Sequence, residues 1–160
     1  MRKAFGICLA VLLLFQALLV PQPLAAAPAA PTTVFINEIH YDNDGTDSGE
    51  AIEIAGPAST DLTGWSLVLY NGSNGAAYDT DALSGTIPDQ QNGYGTVVMS
   101  YPANGIQNGA PDGLALVDAS NTVIQFLSYE GTFAAVGGPA DGMTSVDIGV
   151  SEPGTAIVGT

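Results

Sequence analysis

VFINEIHYDNDGTDSGEAIEIAGPASTDLTGWSLVLY, residues 34–70, holds three short apolar-rich runs separated by segments of Asp, Gly, Ser, Thr and Pro. Val34 to Tyr41 predicts a first strand. Glu50 to Ala55 predicts a second, with Ile52 and Ile54 on one face and Ala51 and Glu53 on the other, the two-residue alternation of a strand covered on one side. Trp65 to Tyr70 repeats the alternation with Trp65, Leu67 and Leu69 aligned. Beyond Pro31 no window carries apolar residues at helical spacing, and turn-forming residues break the chain roughly every eight to twelve positions. That rhythm predicts an all-β sandwich or barrel.

The remaining strands follow the same reading. Thr96 to Tyr101 aligns Val97, Met99 and Tyr101. Leu114 to Val117 and Thr122 to Tyr129 flank Asp118-Ala119-Ser120-Asn121, residue types that suit a hairpin loop built round a type I turn. A short irregular strand around Ala76 to Tyr78 and a weak last strand from Thr144 to Ile148 complete the set. Asn-Gly pairs at 71–72, 74–75, 92–93, 104–105 and 108–109 mark turns, because both residue types tolerate positive φ. About seven short strands in roughly 130 residues is the size of a β-sandwich.

The ends of the chain speak to compartment. Arg2 and Lys3, the apolar run Ala4 to Val20, and the small residues Leu24-Ala25-Ala26-Ala27-Pro28-Ala29-Ala30-Pro31 form the three parts of a secretory signal. This reading assigns 1–26 to a signal peptide, 27–33 to an Ala/Pro-rich linker and 34–160 to one domain, with cleavage between Ala25 and Ala30 and a secreted, extracellular product free of any membrane span. An uncleaved anchor is the competing reading, since the run lies between a signal core and a membrane span in length. Cys8 lies too near the start to follow a complete hydrophobic core, which argues against a lipoprotein. After residue 8 the chain has no Lys, Arg or Cys, so packing rather than disulfides must hold the domain together.

All 16 carboxylates begin at Glu38, so a processed chain carries a formal −16 with its one histidine neutral. Such a surface repels nucleic acid, whose binding rests on Lys and Arg displacing counterions. A lysine Schiff base, a Cys nucleophile and a P-loop lysine are excluded by composition. A Ser-His-Asp triad would need His40 and has no Gly-x-Ser-x-Gly elbow. Paired carboxylates of a glycosidase stay open, but with 16 acids the pairing carries no information. The densest acidic stretch is the loop Asp42 to Glu50, where Asp42, Asp44, Asp47 and Glu50 offer hard oxygens around Gly45 and Gly49. Two readings stand: a solvated turn in which Asp and Asn cap their own backbone, or a divalent cation site, with calcium as the cation and those four residues as its ligands. The spacing is not that of an EF-hand. His40 reads as a polar residue at a strand end, because zinc sites draw on several His or Cys. Asn71-Gly72-Ser73 matches a glycosylation sequon.

Phe35-Ile36-Asn37-Glu38-Ile39-His40-Tyr41, Gly49-Glu50-Ala51-Ile52-Glu53-Ile54 and Asp61-Leu62-Thr63-Gly64-Trp65-Ser66-Leu67 together resemble the lamin tail domain family. Its pattern is an apolar-Asn-Glu strand, a Glu-Phe-Ile-Glu strand and an Asp-Leu-Ser-Gly-Trp turn, here in order from about Val34 to Leu69, with Ala51 where the family often has an aromatic. The resemblance implies an immunoglobulin-like β-sandwich, with a further closing strand beyond the region where this sequence ends. Trp65 has the bulk to fill the core between sheets, and Asn37 and Glu38 are placed to bond loop backbone. Neither role is an active site.

In bacteria the module is similar to those near the start of secreted proteins, including extracellular nucleases of the endonuclease/exonuclease/phosphatase superfamily, whose opening Tyr41-Asp42-Asn43-Asp44-Gly45-Thr46-Asp47 with Gly49-Glu50 resembles. Two functions follow as expectations. One is a non-catalytic exported binding or spacer domain with an extracellular or cell-surface ligand. The other is the leading piece of a secreted metal-dependent nuclease whose catalytic domain lies downstream of Thr160.

Overall fold

The computed structural model describes residues 33–152. The expected signal peptide, all but the last residue of the expected linker, and residues 153–160 lie outside the described residues. Eight strands form: β1 (Phe35–His40), β2 (Ala51–Pro57), β3 (Ser66–Asn71), β4 (Ala77–Ala82), β5 (Tyr94–Ser100), β6 (Asp112–Val117), β7 (Val123–Tyr129) and β8 (Val146–Asp147). There is no helix among the described residues, and so none long and apolar enough to cross a membrane.

The strands make two sheets, one of three strands in the order β1-β2-β5 and one of five in the order β4-β3-β6-β7-β8. All pairs are antiparallel except β7 with β8, which run parallel over Leu127–Val146 and Ser128–Asp147. The sheets pack face to face as an immunoglobulin-like β-sandwich, which settles the choice between sandwich and barrel. Between them lies the main core: Ile36, Ile52 and Ile54 from the smaller sheet meet Leu67, Leu69, Leu114 and Leu116 from the larger, with Leu62, Leu83, Ile87 and Ile106 supplied by connections. The predicted alternation holds, since Ile52 and Ile54 are fully buried between half-exposed Ala51, Glu53 and Ala55.

Two features depart from the sequence reading. Trp65 sits half-buried at the margin of the core, while Leu62 from the same turn is fully enclosed. The reason is the turn: Trp65 N donates to the Leu62 carbonyl and Gly64 adopts φ 82, a conformation that favours glycine, so the loop folds Leu62 inward ahead of the strand. The second departure is β6, buried along its whole length. The segment after β7, which the apolar pattern leaves without an element, crosses the outer face of the larger sheet. There Phe133, Ala135 and Ala140 pack on Val68, Tyr70, Ala115, Val117 and Phe126 as a second core. Tyr70 and Phe126, and Phe126 and Phe133, meet edge to face at 5.2 and 5.3 Å.

The turns expected at 71–72, 74–75, 92–93 and 104–105 form, with positive φ at Gly75, Asn92, Gly93 and Asn104, while Asn108-Gly109 is neither a turn nor at positive φ. Asp118 Oδ1 accepts from the amides of Ser120 and Thr122 in the β6–β7 hairpin, and Asn121 takes φ 61. Asn92 and Gly93 take φ 55 and 80, the paired positive values of a type I′ turn. Gly95 is required by proximity: a Cβ there would lie 1.9 Å from the Pro88 carbonyl oxygen.

Leu114 is fully buried on a strand covered on both faces. Leu114→Ala is expected to destabilise the fold by about 3 kcal/mol, read as a lower urea midpoint with unchanged slope; a loss below about 1 kcal/mol would show that this core tolerates a cavity.

Candidate functional site

The loop from Asp42 to Glu50 joins β1 to β2 and lies against the segment from Pro102 to Gly109. The structure separates its four carboxylates. Glu50 is fully buried, and its two oxygens accept from the Gly105 and Ile106 amides at 2.7 and 2.9 Å. Asp47, also buried, accepts from the Asn43 amide at 2.8 Å and from Asn108 Nδ2 at 3.1 Å. The same Asn108 Nδ2 lies 3.3 Å from Asp42 Oδ1. Asp44 is exposed on the loop. The loop is thus partly the self-capping turn and partly a clasp on a second loop. Among the described residues no three His, Cys, Asp or Glu side chains gather as a metal-holding group. The oxygens of Glu50, Asp47 and Asp42 are instead met by N–H donors.

His40, opposite Ala51 at the end of β1, is buried by a residue far along the chain. Its Nδ1 donates to Glu152 Oε1 at 3.0 Å, and Glu152 Oε2 accepts from the Tyr41 and Asp42 amides at 2.7 and 2.9 Å. The Glu152 amide donates back to Tyr41 Oη at 2.9 Å. Burial alone lowers the His40 pKa, but the hydrogen bond and charge of Glu152 outweigh it and leave the imidazole raised from its ordinary value. Tyr41 stacks on Tyr129 at 3.7 Å and donates to Glu130, and its phenol is pushed up to about 12, chiefly by burial.

Asp112, which sequence reading did not single out, repeats the Glu50 pattern. It is buried at the start of β6 and accepts from the Gly72 and Gly109 amides at 2.7 and 2.6 Å. Burial raises its carboxyl pKa against the opposing pull of those two amides. A polar recess of about 460 Å³ lies between these clasps, lined by Asp47, Asn71, Asn104, Gln107, Asn108 and Asp112 among others. Asn71 of the sequon has its Nδ2 donating to Gln107 at 2.6 Å, which occupies the atom a glycan would take. Asn37, expected to bond loop backbone, instead donates to Glu53 Oε1 at 2.7 Å across the β1–β2 pair. Glu38 stands opposite Glu53, so this amide eases two like charges.

At the other end of the smaller sheet, on its outer face, lies a groove of about 530 Å³. Phe35 and Asn37 of β1, Ala55 of β2, Tyr94 and Thr96 of β5, and the Gln90 to Asn92 turn line it. Ala55 pairs with Phe35 on one side and Thr96 on the other, so a methyl group floors a trough between larger side chains. No comparison with known proteins gave a match: no family model, curated protein or solved structure is significantly similar to the chain.

Two outcomes test the clasps. Glu50→Ala strands two amides against the core and is expected to cost about 3 kcal/mol by chemical denaturation; a loss under about 0.5 kcal/mol would remove Glu50 from the scaffold. For His40 the raised pKa means the folded state binds the proton more tightly than the unfolded state. Its contribution is therefore complete below the unfolded value of 6.5 and is lost as pH rises through the folded value. The stability gap between wild type and His40→Gln is expected to narrow between about pH 6 and about pH 8, and a gap that widened would reverse this sign.

Proposed function

We propose that this chain is a non-catalytic exported binding or spacer domain of the lamin-tail type. The observation that supports it most is the use of the side chains best suited to chemistry. His40, Glu50, Asp112 and Glu152 are committed to one another and to backbone amides that hold loops together. The motifs at residues 35–41, 49–54 and 61–67 support the family, and the first 26 residues support export by a cleaved signal. The partner is an extracellular or cell-surface ligand. Nucleic acid is disfavoured by a chain whose only Arg and Lys are Arg2 and Lys3.

The similarity of residues 41–50 to the opening of secreted nucleases favours a second reading, in which the domain precedes a metal-dependent catalytic domain. Reading the coding sequence past Thr160 separates the two, and a stop codon with no nuclease-like sequence in any frame would remove the second. Calcium belongs to either reading on the charge of Asp42, Asp44, Asp47 and Glu50, and would require Asn108 to leave Asp42 and Asp47 and the Gly105 and Ile106 amides to leave Glu50. A melting temperature equal in chelator and in millimolar calcium, with sodium matching the ionic strength, would remove it.

The chain recovered from the medium of an exporting host is expected to have an intact mass beginning between Ala26 and Pro31. It is also expected to leave plasmid DNA uncut with magnesium or calcium present. Retention of Met1 to Ala25 would favour an anchored envelope protein. Cleavage abolished by His40→Gln or Glu152→Gln would replace the binding domain with an enzyme.

A further inference from the structure

We infer that the groove over Ala55 binds sugar rings of a neutral polysaccharide. The inference rests on the binding-domain reading above and gives it a ligand class. Its first ground is charge. In a chain with 16 carboxylates, none of the ten residues lining the groove is charged. The carboxylates at its margins, Glu53 and Asp89, are each held by an N–H donor, of Asn37 and of Gly93, and an anion finds no Lys or Arg anywhere after residue 3. The lining selects an uncharged ligand.

The second ground is the pairing of aromatic and amide groups. Phe35 and Tyr94 rise on either side of the floor made by Ala55. Two strand spacings, roughly 10 Å, separate β1 from β5 and leave room above the alanine for one pyranose ring. The C–H face of such a ring is apolar with slightly positive hydrogens, and the faces of aromatic rings attract that polarity. Its rim of hydroxyls needs both donors and acceptors, which the primary amides of Asn and Gln supply together. Gln91 and Asn92 are exposed, and their side chains have no partner among the described residues. Gln90 spends its carbonyl oxygen on the Thr96 amide at 2.8 Å, which fixes the turn and leaves its amino group to donate. Asn37 is likewise held by Glu53 through its amino group, with its carbonyl oxygen free to accept. The size also fits, since ligand sites usually enclose about 300–1,000 Å³ with mostly apolar lining and a few placed polar groups.

The third ground disfavours the commonest other occupant of a sheet margin, an added peptide strand. Strand addition needs free backbone donors along an edge. On β5 the Thr96 amide is taken by Gln90, and on β1 the Ile36 amide donates to Gln125 Oε1 at 2.6 Å. One amide on each edge beside the groove is thus occupied by a side chain of the same chain, while the face between them stays open.

Native gel electrophoresis of the full secreted chain, in gels containing barley β-glucan, xylan or galactomannan, tests this. Retardation by at least one of the three is expected, unchanged by added salt. Gln91→Ala, which removes an exposed amide and no internal bond, and Tyr94→Ala are expected to weaken it by about tenfold each with melting temperature preserved for Gln91→Ala. Ala55→Trp, which fills the trough, is expected to abolish it, with a cooperative melt confirming the fold. Retardation that both Gln91→Ala and Tyr94→Ala retain would overturn the groove while keeping the binding domain. Migration unaffected by all three polysaccharides would overturn the inference and leave the binding domain to another ligand class. Retardation abolished by salt would overturn it as well, because it would mark a charged contact.

Discussion

The carboxylate of Glu50, out of water and held by the amides of Gly105 and Ile106, shows the constraint under which this protein is built. A chain with no Lys or Arg after residue 3 has no side-chain cation except His40 to set against a buried acid. Burying a carboxylate without compensation is costly, so each acid that enters the fold must be met by N–H groups. Glu50, Asp47, Asp112 and Glu152 all follow that rule, together drawing on amides at Tyr41, Asp42, Asn43, Gly72, Gly105, Ile106 and Gly109. Charge-assisted bonds of this kind are stronger than neutral ones, and here they do the fastening that disulfides do in many exported domains.

The consequence for architecture is that loops are set as firmly as strands. Glu50 fixes the turn that delivers Ile106 to the core, and Tyr129 closes the same turn by donating to the Gln107 carbonyl. Glu152 brings the end of the described chain back to the first strand and covers His40. A β-sandwich leaves many loop amides without ladder partners, and buried ones must be satisfied. In this sequence the surplus of acids and the surplus of amides answer each other.

The strands were legible because their two-residue alternation and their Asn-Gly and Asp-Ser-Asn turns are local signals. Even the weak strand near Ala76 and the last one near Val146 lie close to where pattern placed them. The carboxylate clasps were not legible, since nothing local separates Glu50, buried, from Asp44, exposed. What separates them is a partner 55 or 56 residues away, and for Glu152 and Tyr41 the distance is 111. Trp65 misled because bulk suggests the core, while the positive φ of Gly64 hands that place to Leu62. The cover over β6 escaped because residues 131–145 hold their apolar side chains at irregular intervals, with turns rather than periodicity setting which face in. The groove had no signal at all, since Phe35, Ala55, Gln91 and Tyr94 become neighbours only through the strand order.

The division of the smaller sheet into two ends follows from the same constraint. Along the six residues of β1 the chain runs from Phe35, beside the neutral groove, to His40, beside the acidic loop, a span of roughly 20 Å. That exceeds the screening length of about 8 Å at physiological salt, so the charge of Asp42, Asp44 and Asp47 is largely damped at the groove. Nearer carboxylates remain, Glu53 held by Asn37 and Asp89 held by the Gly93 amide, each already spent on an N–H donor. The outer face over Ala55 is thus lined without charge, while the acids gathered at the far end clasp the loops of the sandwich.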